Sequence, residues 1–320
     1  MTDGPTDGST ETAAPDPRRQ LRNLLGQPGM LRIPGVHDGY SARAAEVMGF
    51  GAVYIGGGVG IGPNLGLPDM GVMQSSHLIA AAGRLAQLVD IPVIADLDDG
   101  GGHVLRVRQA VTDAERASIA GMHIEDSDFS AGRHFPSASG SSGGHLNFSD
   151  DRVVDFDAAV QRFRAALAGR RHPDTVIIGR TDAALHSLDE AIRRGRAFAD
   201  LGADVVFLAH LAPEQVRRAV GAIPAPLMNC ILDPAGASAE VCTAMERDGL
   251  KILFDHRAVP LAAYQAEWAA LERFRDQGDI AADLPGTRTQ LTRVIRHAEW
   301  AELAREHRAA TDHTNRDESR

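Results

Sequence analysis

Three carboxylates within four positions, Asp96, Asp98 and Asp99, close the apolar run of "IADLDDGGGHV" (94–104). Glu125 and Asp126 close "GMHIED", and Arg180 and Asp182 follow "TVIIG". Carboxylates at the ends of neighbouring strands repel one another unless a cation sits between them. Oxygen donors without a nearby cysteine or paired histidines favour Mg2+, with Mn2+ as the alternative, over zinc. The cluster around Asp96 therefore points to a divalent-metal site in which some acids act through water. An arginine that ends an apolar strand needs an anionic partner. A substrate carboxylate matches the planar fork of Arg180, and a structural ion pair with Asp182 or Glu125 is the competing reading. The glycines after Asp99 let a ligand approach the backbone closely. His123, inside its strand, is either a satisfied core histidine or part of the same site.

These groups need strands to carry them. Eight short β-rich runs alternate with helical patterns: 30–35, 52–57, 92–97, 121–126, 175–180, 204–209, 225–230 and 250–255. Between them, Leu78, Ile79, Ala82, Leu85 and Ala86 trace one helical face, and Phe156, Ala159, Val160, Phe163, Ala166 and Leu167 another. Ser187 and Glu190 have capping-box spacing, and Pro213 and Pro260 suit first-turn positions. Eight strands alternating with helices predict an α/β fold, a (β/α)8 TIM barrel whose active site lies at the carboxyl ends of the strands. A doubly wound open sheet is the rival, but "GGGVGIG" (56–62) fails G-x-G-x-x-G spacing at every start. Reading the strand ends in order gives Asp38, Gly56 to Gly58, Asp96 with Asp98, Glu125 with Asp126, Arg180 with Asp182, His210, Asn229, and Asp255 with His256. Residues 1–17 are expected to form a disordered tail, 18–275 the barrel, and 276–320 a helical extension with a frayed, charged end.

Composition sets outer limits. The 320 residues carry a formal net charge of −10, which argues against nucleic acid and anionic membrane surfaces as partners. No apolar run approaches a membrane span, and the polar, acidic N-terminus lacks the form of a signal or transit peptide, so a cytoplasmic location is expected. Cys230 and Cys242 are too few for a disulfide framework. Lys251 is the sole lysine and sits inside "LKILF", where it is expected to be structural, as Cys230 is expected to be a small buried filler.

Several segments together resemble the isocitrate lyase/phosphoenolpyruvate mutase superfamily: "PGVHDGYSARAAEVMGFGAVYIGGG", "LGLPDMG", "ADLDDGGG", "HIED", "HPDTVIIGRTDA" and "LDEAIRRGRAFADLGADVVF". They span about residues 34–208 in the family's order. The resemblance implies a (β/α)8 barrel and a homo-oligomer, a dimer or tetramer that exchanges a C-terminal helix. It implies magnesium at Asp96, with Asp69, Asp98 and Glu125 acting directly or through water, and a small 2-oxo or 2-hydroxy carboxylate that reacts through an enolate. The implied catalytic set is Arg180, His145, Glu125 and Asp69. The implied substrate contacts are Tyr54, Gly56, Gly57, Gly58, Asp96, His123, Arg180, His210 and Asn229.

The loop after Glu125 departs from the family. Lyases there carry K-[KR]-C-G-H, whose cysteine is the general acid. Here Gly143 stands at the cysteine position and Ser141 at the lysine position, while Gly144 and His145 remain. The mutase pattern F-P-K-x-N-S is also unmet, since "FPSAS" (135–139) lacks the lysine and asparagine. Segment 127–147 is rich in Ser and Gly and is either a lid or an insertion. A retro-aldol lyase must protonate its departing fragment, whereas CO2 leaves without a proton. The sequence thus favours C–C cleavage by a decarboxylase, or by a lyase whose acid is replaced by His145, His134 or a serine. A phosphonopyruvate-type P–C mutase or hydrolase is the alternative, and a non-catalytic metal- or carboxylate-binding relative the next. Leu261, Tyr264, Trp268 and Leu271 form an apolar stripe beyond the barrel's needs and are expected to face a neighbouring subunit.

Overall fold

The computed structural model describes residues 16–129, 152–230, 238–278 and 286–317. Eight strands form at the predicted runs: β1 (Leu31–Pro34), β2 (Val53–Ile55), β3 (Val93–Asp96), β4 (Gly121–Glu125), β5 (Val176–Thr181), β6 (Val205–Leu208), β7 (Leu227–Cys230) and β8 (Ile252–Asp255). All neighbours are parallel, in the order β1-β8-β7-β6-β5-β4-β3-β2. A bridge between Gly35 and Tyr54, with Val36 N–H donating to the Tyr54 carbonyl at 2.8 Å, joins β1 to β2 and closes the ring. The architecture is the (β/α)8 barrel, with further helices at the C-terminal end.

Side-chain alternation along each strand sorts the core into two layers. Ile33, Tyr54, Ile94, Val176, Ile178, Val205, Phe207, Met228, Ile252 and Phe254 fill the barrel interior. Helices α2 (Gly39–Val47), α3 (Gly62–Leu65), α4 (Ser75–Ala86), α5 (Val104–Arg116), α6 (Phe156–Gly169), α7 (Leu188–Leu201), α8 (Val216–Ala222) and α9 (Ala239–Arg247) connect the strands, and the intervening residues pack outward against α2 and α4 to α9. Among them Met122 and Phe163 are core residues, as their apolar spacing predicts. The base of the barrel is stoppered by α1 (Pro17–Gly26), whose Leu21 is fully buried in the interior layer and contributes about 2 kcal/mol of burial.

Two local expectations are revised. Asp16 and Pro17, assigned to the tail by composition, begin α1: the Asp16 carboxylate caps Arg18 N–H at 2.9 Å, and Pro17 takes the first helical position, where no amide is needed. In α7 only half of the capping box forms. Ser187 Oγ accepts from Glu190 N–H, while the Glu190 carboxylate turns to Arg193 and Arg194, whose charge outbids the cap amide. Pro213 opens a 3-10 turn, and Pro260 lies in the first turn of α10 (Ala258–Gln277), as expected.

The C-terminal helices α10, α11 (Thr287–Val294) and α12 (His297–Asp317) follow the barrel. Arg296, between the last two, reaches back to Glu46 and Asp90 at 3.3 and 3.1 Å. Trp268 and Leu271 are each 67% exposed. Tyr264 departs from the exposed stripe. Its ring packs edge-on against His37, and its hydroxyl donates to the Val59 carbonyl at 2.8 Å. No helix among the described residues is long and apolar enough to cross a membrane.

Candidate active site

The strand registers assemble the site. Asp96 on β3 lies opposite His123 on β4, and Glu125 on β4 lies opposite Arg180 on β5. Period-two alternation aims all four side chains into the barrel mouth. Arg180 makes a bidentate pair with Asp182, Nε to Oδ1 at 2.9 Å and Nη2 to Oδ2 at 3.0 Å. Its remaining nitrogen, Nη1, lies 2.5 Å from Glu125 and 3.5 Å from Asp96. The face of Arg180 covers the Phe207 ring at 5.2 Å. Burial lowers the basicity of this guanidinium, but Asp182, Glu125 and Asp96 outweigh it and raise its pKa well above the usual value. Burial likewise opposes ionisation of Asp182, yet Arg180 and His210 hold its carboxyl well below the ordinary range.

A second row of polar residues fixes this arrangement. Arg162 on α6 donates to the carbonyls of Glu125 and Ser127 at 2.8 and 3.0 Å, holding the end of β4. Asp126 accepts from Thr181 Oγ1 at 2.6 Å, Asp182 N–H at 3.0 Å and Arg194 at 2.9 Å, which ties β4 to β5 and α7. Deeper in the barrel, Tyr54 hydroxyl and His123 Nε2 are 2.9 Å apart, and His123 Nδ1 is 3.3 Å from Asp96 Oδ1. Burial brings His123 down to about 4 against the pull of Asp96, so the imidazole is neutral at pH 7. Burial and Asp96 raise Tyr54 well above its usual value, so it remains a phenol.

After β2, the neighbour of β3, Gly56 is followed by a single turn of π-helix, Gly57–Ile61, whose first amides have no intrahelical acceptor. A Cβ on Gly58 would meet Asp69 Oδ2 at 2.9 Å, and one on Gly57 would meet Asp69 Oδ1 at 3.4 Å and Asp98 Oδ1 at 3.6 Å. Asp69 and Asp98 thus converge on this glycine turn. Asp98 has a left-handed backbone (φ 51°), and its amide donates to Asp96 Oδ1 at 2.9 Å. The glycine turn, Asp69, Asp96, Asp182 and Arg180 share one cavity of about 400 Å³ at the barrel mouth, with Phe207, Phe254 and Cys230 among its apolar lining, while Asp98, His123 and Glu125 do not line it. Burial pushes the Cys230 thiol up to about 12. Asp98 and Asp99 instead border a larger recess of about 750 Å³ between α4 and α5.

Donor atoms of Asp96, His123 and Glu125 lie within 4.8 Å of one another. The two carboxylates are hard donors that fit a divalent cation retaining several waters, as magnesium does, with Arg180 Nη1 as the competing positive charge at Glu125. His123 turns Nδ1, not the Nε2 engaged with Tyr54, toward Asp96, so Nδ1 is the nitrogen it could offer.

Of the sequence-predicted residues, Tyr54, Gly56, Gly57, Gly58, Asp69, Asp96, Arg180 and His210 line the cavity. His210 has a left-handed backbone (φ 64°), and its Nε2 stands 3.8 Å from Asp182. Asn229 does not line the cavity. Alternation points Met228 and Cys230 inward, and the Asn229 amide instead binds Leu211 carbonyl and Cys230 N–H, each at 2.9 Å. His145, like His134, Ser141 and Gly143, lies outside the described residues. Lys251 donates to the carbonyls of Gln27 and Gly29 at the far end of β8, a structural role. Sequence reasoning missed Arg257, which lines the cavity directly after His256; the strand-end pattern could have flagged it. It also missed the Tyr264 contact, for which no local signal exists.

The sequence profile of the phosphoenolpyruvate phosphomutase family matches residues 21–251. A probable 2-methylisocitrate lyase of Corynebacterium glutamicum is 34% identical over 222 residues, 69% of this chain and 68% of its own length. An oxaloacetate decarboxylase of Bradyrhizobium diazoefficiens is 32% identical over 284 residues, 88% of this chain and 93% of its own. A solved structure of oxaloacetate acetylhydrolase with the inhibitor 3,3-difluorooxalacetate superposes with a TM-score of 0.77 at 32% identity, covering 91% of this chain and 97% of that one.

Proposed function

The chain belongs to the isocitrate lyase/phosphoenolpyruvate mutase superfamily, its near relatives being carbon–carbon lyases, and from that premise we propose that it cleaves a C–C bond of a small 2-oxo or 2-hydroxy carboxylate in a divalent-metal-dependent reaction, with decarboxylation the favoured form. The observation that carries this reading is the placement of Arg180. Its guanidinium lies against Glu125 and Asp96 at the wall of a cavity that Gly56 to Gly58 also line, where a substrate carboxylate would compete with those acids for its donors. A divalent cation held by Asp96 and Glu125 would supply positive charge for an enolate oxygen. The first amides of the Gly57–Ile61 turn, which lines the same cavity, add preorganised donors. Neutral Tyr54 and His123 leave the floor of the site uncharged, so the field on the substrate is set by Arg180 and the acids. In decarboxylation the pair from the broken C–C bond enters the enolate, and CO2 leaves without a proton. That suits a chain with Gly143 at the lyase cysteine position and, among the described residues that line the cavity, a buried thiol raised to about 12. The exposed face of α10 is read as the surface of a dimer or tetramer with exchanged C-terminal helices.

An NMR time course with Mg2+ and an EDTA control, offering oxaloacetate, 2-methylmalate, 2-methylisocitrate and phosphonopyruvate, tests the reading. EDTA-sensitive pyruvate from a carbon acid is expected, with Arg180→Gln slower by about 100-fold or more. Turnover of phosphonopyruvate alone would replace the reading with P–C chemistry, and turnover indifferent to EDTA would remove the metal from it.

A further inference from the structure

The ladder between β4 and β5 ends at Glu125 and Arg180, and beyond it side chains take over from backbone pairing. Alternation sends Glu125 and Arg180 into the barrel mouth and their successors, Asp126 and Thr181, to the outer face of the sheet, where Ile124 and Ile177 pack. Asp126 is 1% exposed, and its carboxylate holds both residues that follow Arg180. Oδ2 accepts from Thr181 Oγ1 at 2.6 Å, and Oδ1 accepts from the Asp182 amide at 3.0 Å. Asp182, fixed in this way, gives Arg180 the bidentate pair that directs Nη1 toward Glu125 and Asp96. A carboxylate buried as deeply as Asp126 is costly without a cation, and α7 supplies one. Arg194, 4% exposed, donates Nη1 to Asp126 Oδ2 at 2.9 Å and Nε to Glu190 Oε1 at 2.8 Å. Two glycines let α7 lie close on the sheet. A Cβ on Gly179 of β5 would meet Phe198 of α7 at 2.9 Å, and one on Gly195 of α7 would meet Val206 of β6 at 3.1 Å. Arg194 thus reaches Asp126 from a closely packed base, and it does not line the cavity.

We propose that Arg194 is a positioning residue: acting through Asp126, it fixes Thr181 and Asp182 and so sets the pose in which Arg180 meets a substrate carboxylate. The inference rests on the carboxylate-binding reading of Arg180. A guanidinium whose partner Asp182 could swing would present its fork at several angles, and a planar two-point contact accepts few of them. Arg194 therefore governs ligand affinity from the outer face of the sheet, with no contact to the ligand.

Calorimetric titration of the full chain with oxalate in excess Mg2+, beside Mn2+ titration followed by electron paramagnetic resonance, tests it. Arg194→Met is expected to bind oxalate about tenfold more weakly than wild type, with Mn2+ affinity changed by less than about threefold. Arg194→Lys keeps a charged donor and should bring oxalate affinity back to within about threefold of wild type. Thr181→Val removes a donor to Asp126 and leaves no charge unpaired, so it decides the matter if circular dichroism shows Arg194→Met unfolded. Its oxalate binding is expected to be at least about threefold weaker than wild type. Wild-type oxalate affinity in the folded variants would overturn the positioning role, as would a Lys variant no better than Met. An equal loss of Mn2+ affinity would also overturn it, by moving the effect to β4 and Glu125. Failure of wild-type protein to bind oxalate would overturn the reading of Arg180 and this inference with it.

Discussion

At the scale of single residues, burial and neighbouring charge set which groups are ionised. Arg180 is paired with three carboxylates, and a substrate carboxylate must compete with Asp182, Glu125 and Asp96 for its donors. His256 gives a measurable consequence. Burial, helped by Arg257 and opposed by Asp255, lowers it from 6.5 to about 4. Between those values the unfolded chain takes up a proton that the folded chain refuses. Stability therefore falls as pH drops from about 6.5 to about 4, and this contribution is complete below that range. The loss amounts to at most about 3 kcal/mol. Urea unfolding at intervals across that range should show a shallower decline for His256→Asn than for wild type; equal slopes would mean that the imidazole titrates normally in the fold.

At the scale of elements, the glycine turn depends on a helix far along the chain. Tyr264 on α10 grips the Val59 carbonyl across 205 positions of sequence, and Asn64 Nδ2 donates to the Gly60 carbonyl at 3.0 Å. Together they hold the turn that presents Gly57 and Gly58 to the cavity. Tyr264→Phe removes one hydrogen bond and keeps the ring, so stability should fall by about 1 kcal/mol. Catalysis should suffer more, with kcat reduced up to about tenfold and KM little changed, because the turn loses its position rather than its contacts. Steady-state kinetics on the substrate found by the NMR panel would decide this, and a KM effect at constant kcat would assign Tyr264 to binding instead.

At the scale of the whole molecule, the barrel accounts for its own core while the C-terminal helices leave apolar surface over. Trp268, Leu271, Phe274 and Trp300 are 58–69% exposed. Covering such a face is worth more than leaving it in water, so self-association is the expected outcome. Sedimentation at micromolar concentration should give a dimer or tetramer, and Trp268→Glu with Phe274→Glu should shift it toward monomer. A monomeric wild type would refute the assignment.

The eight strands are legible in the local pattern, because each is a short apolar run between turn signals and the alternation with helices leaves few ways to cover a parallel sheet. The same pattern puts Asp96, Glu125 and Arg180 at one end of the barrel, since each closes a strand. Which neighbours these groups meet follows from the packing of strands remote in the chain. Strand register set Glu125 opposite Arg180, and the alternation of β7 kept Asn229 off the cavity even though it ends a strand as the others do. The close approach of Gly35 to β8 fixed His256, and the fold of α10 over the glycine turn gave Tyr264 an intramolecular partner where the sequence suggested a subunit contact. Those outcomes depend on distances between residues remote in the chain, and local pattern carries no record of them.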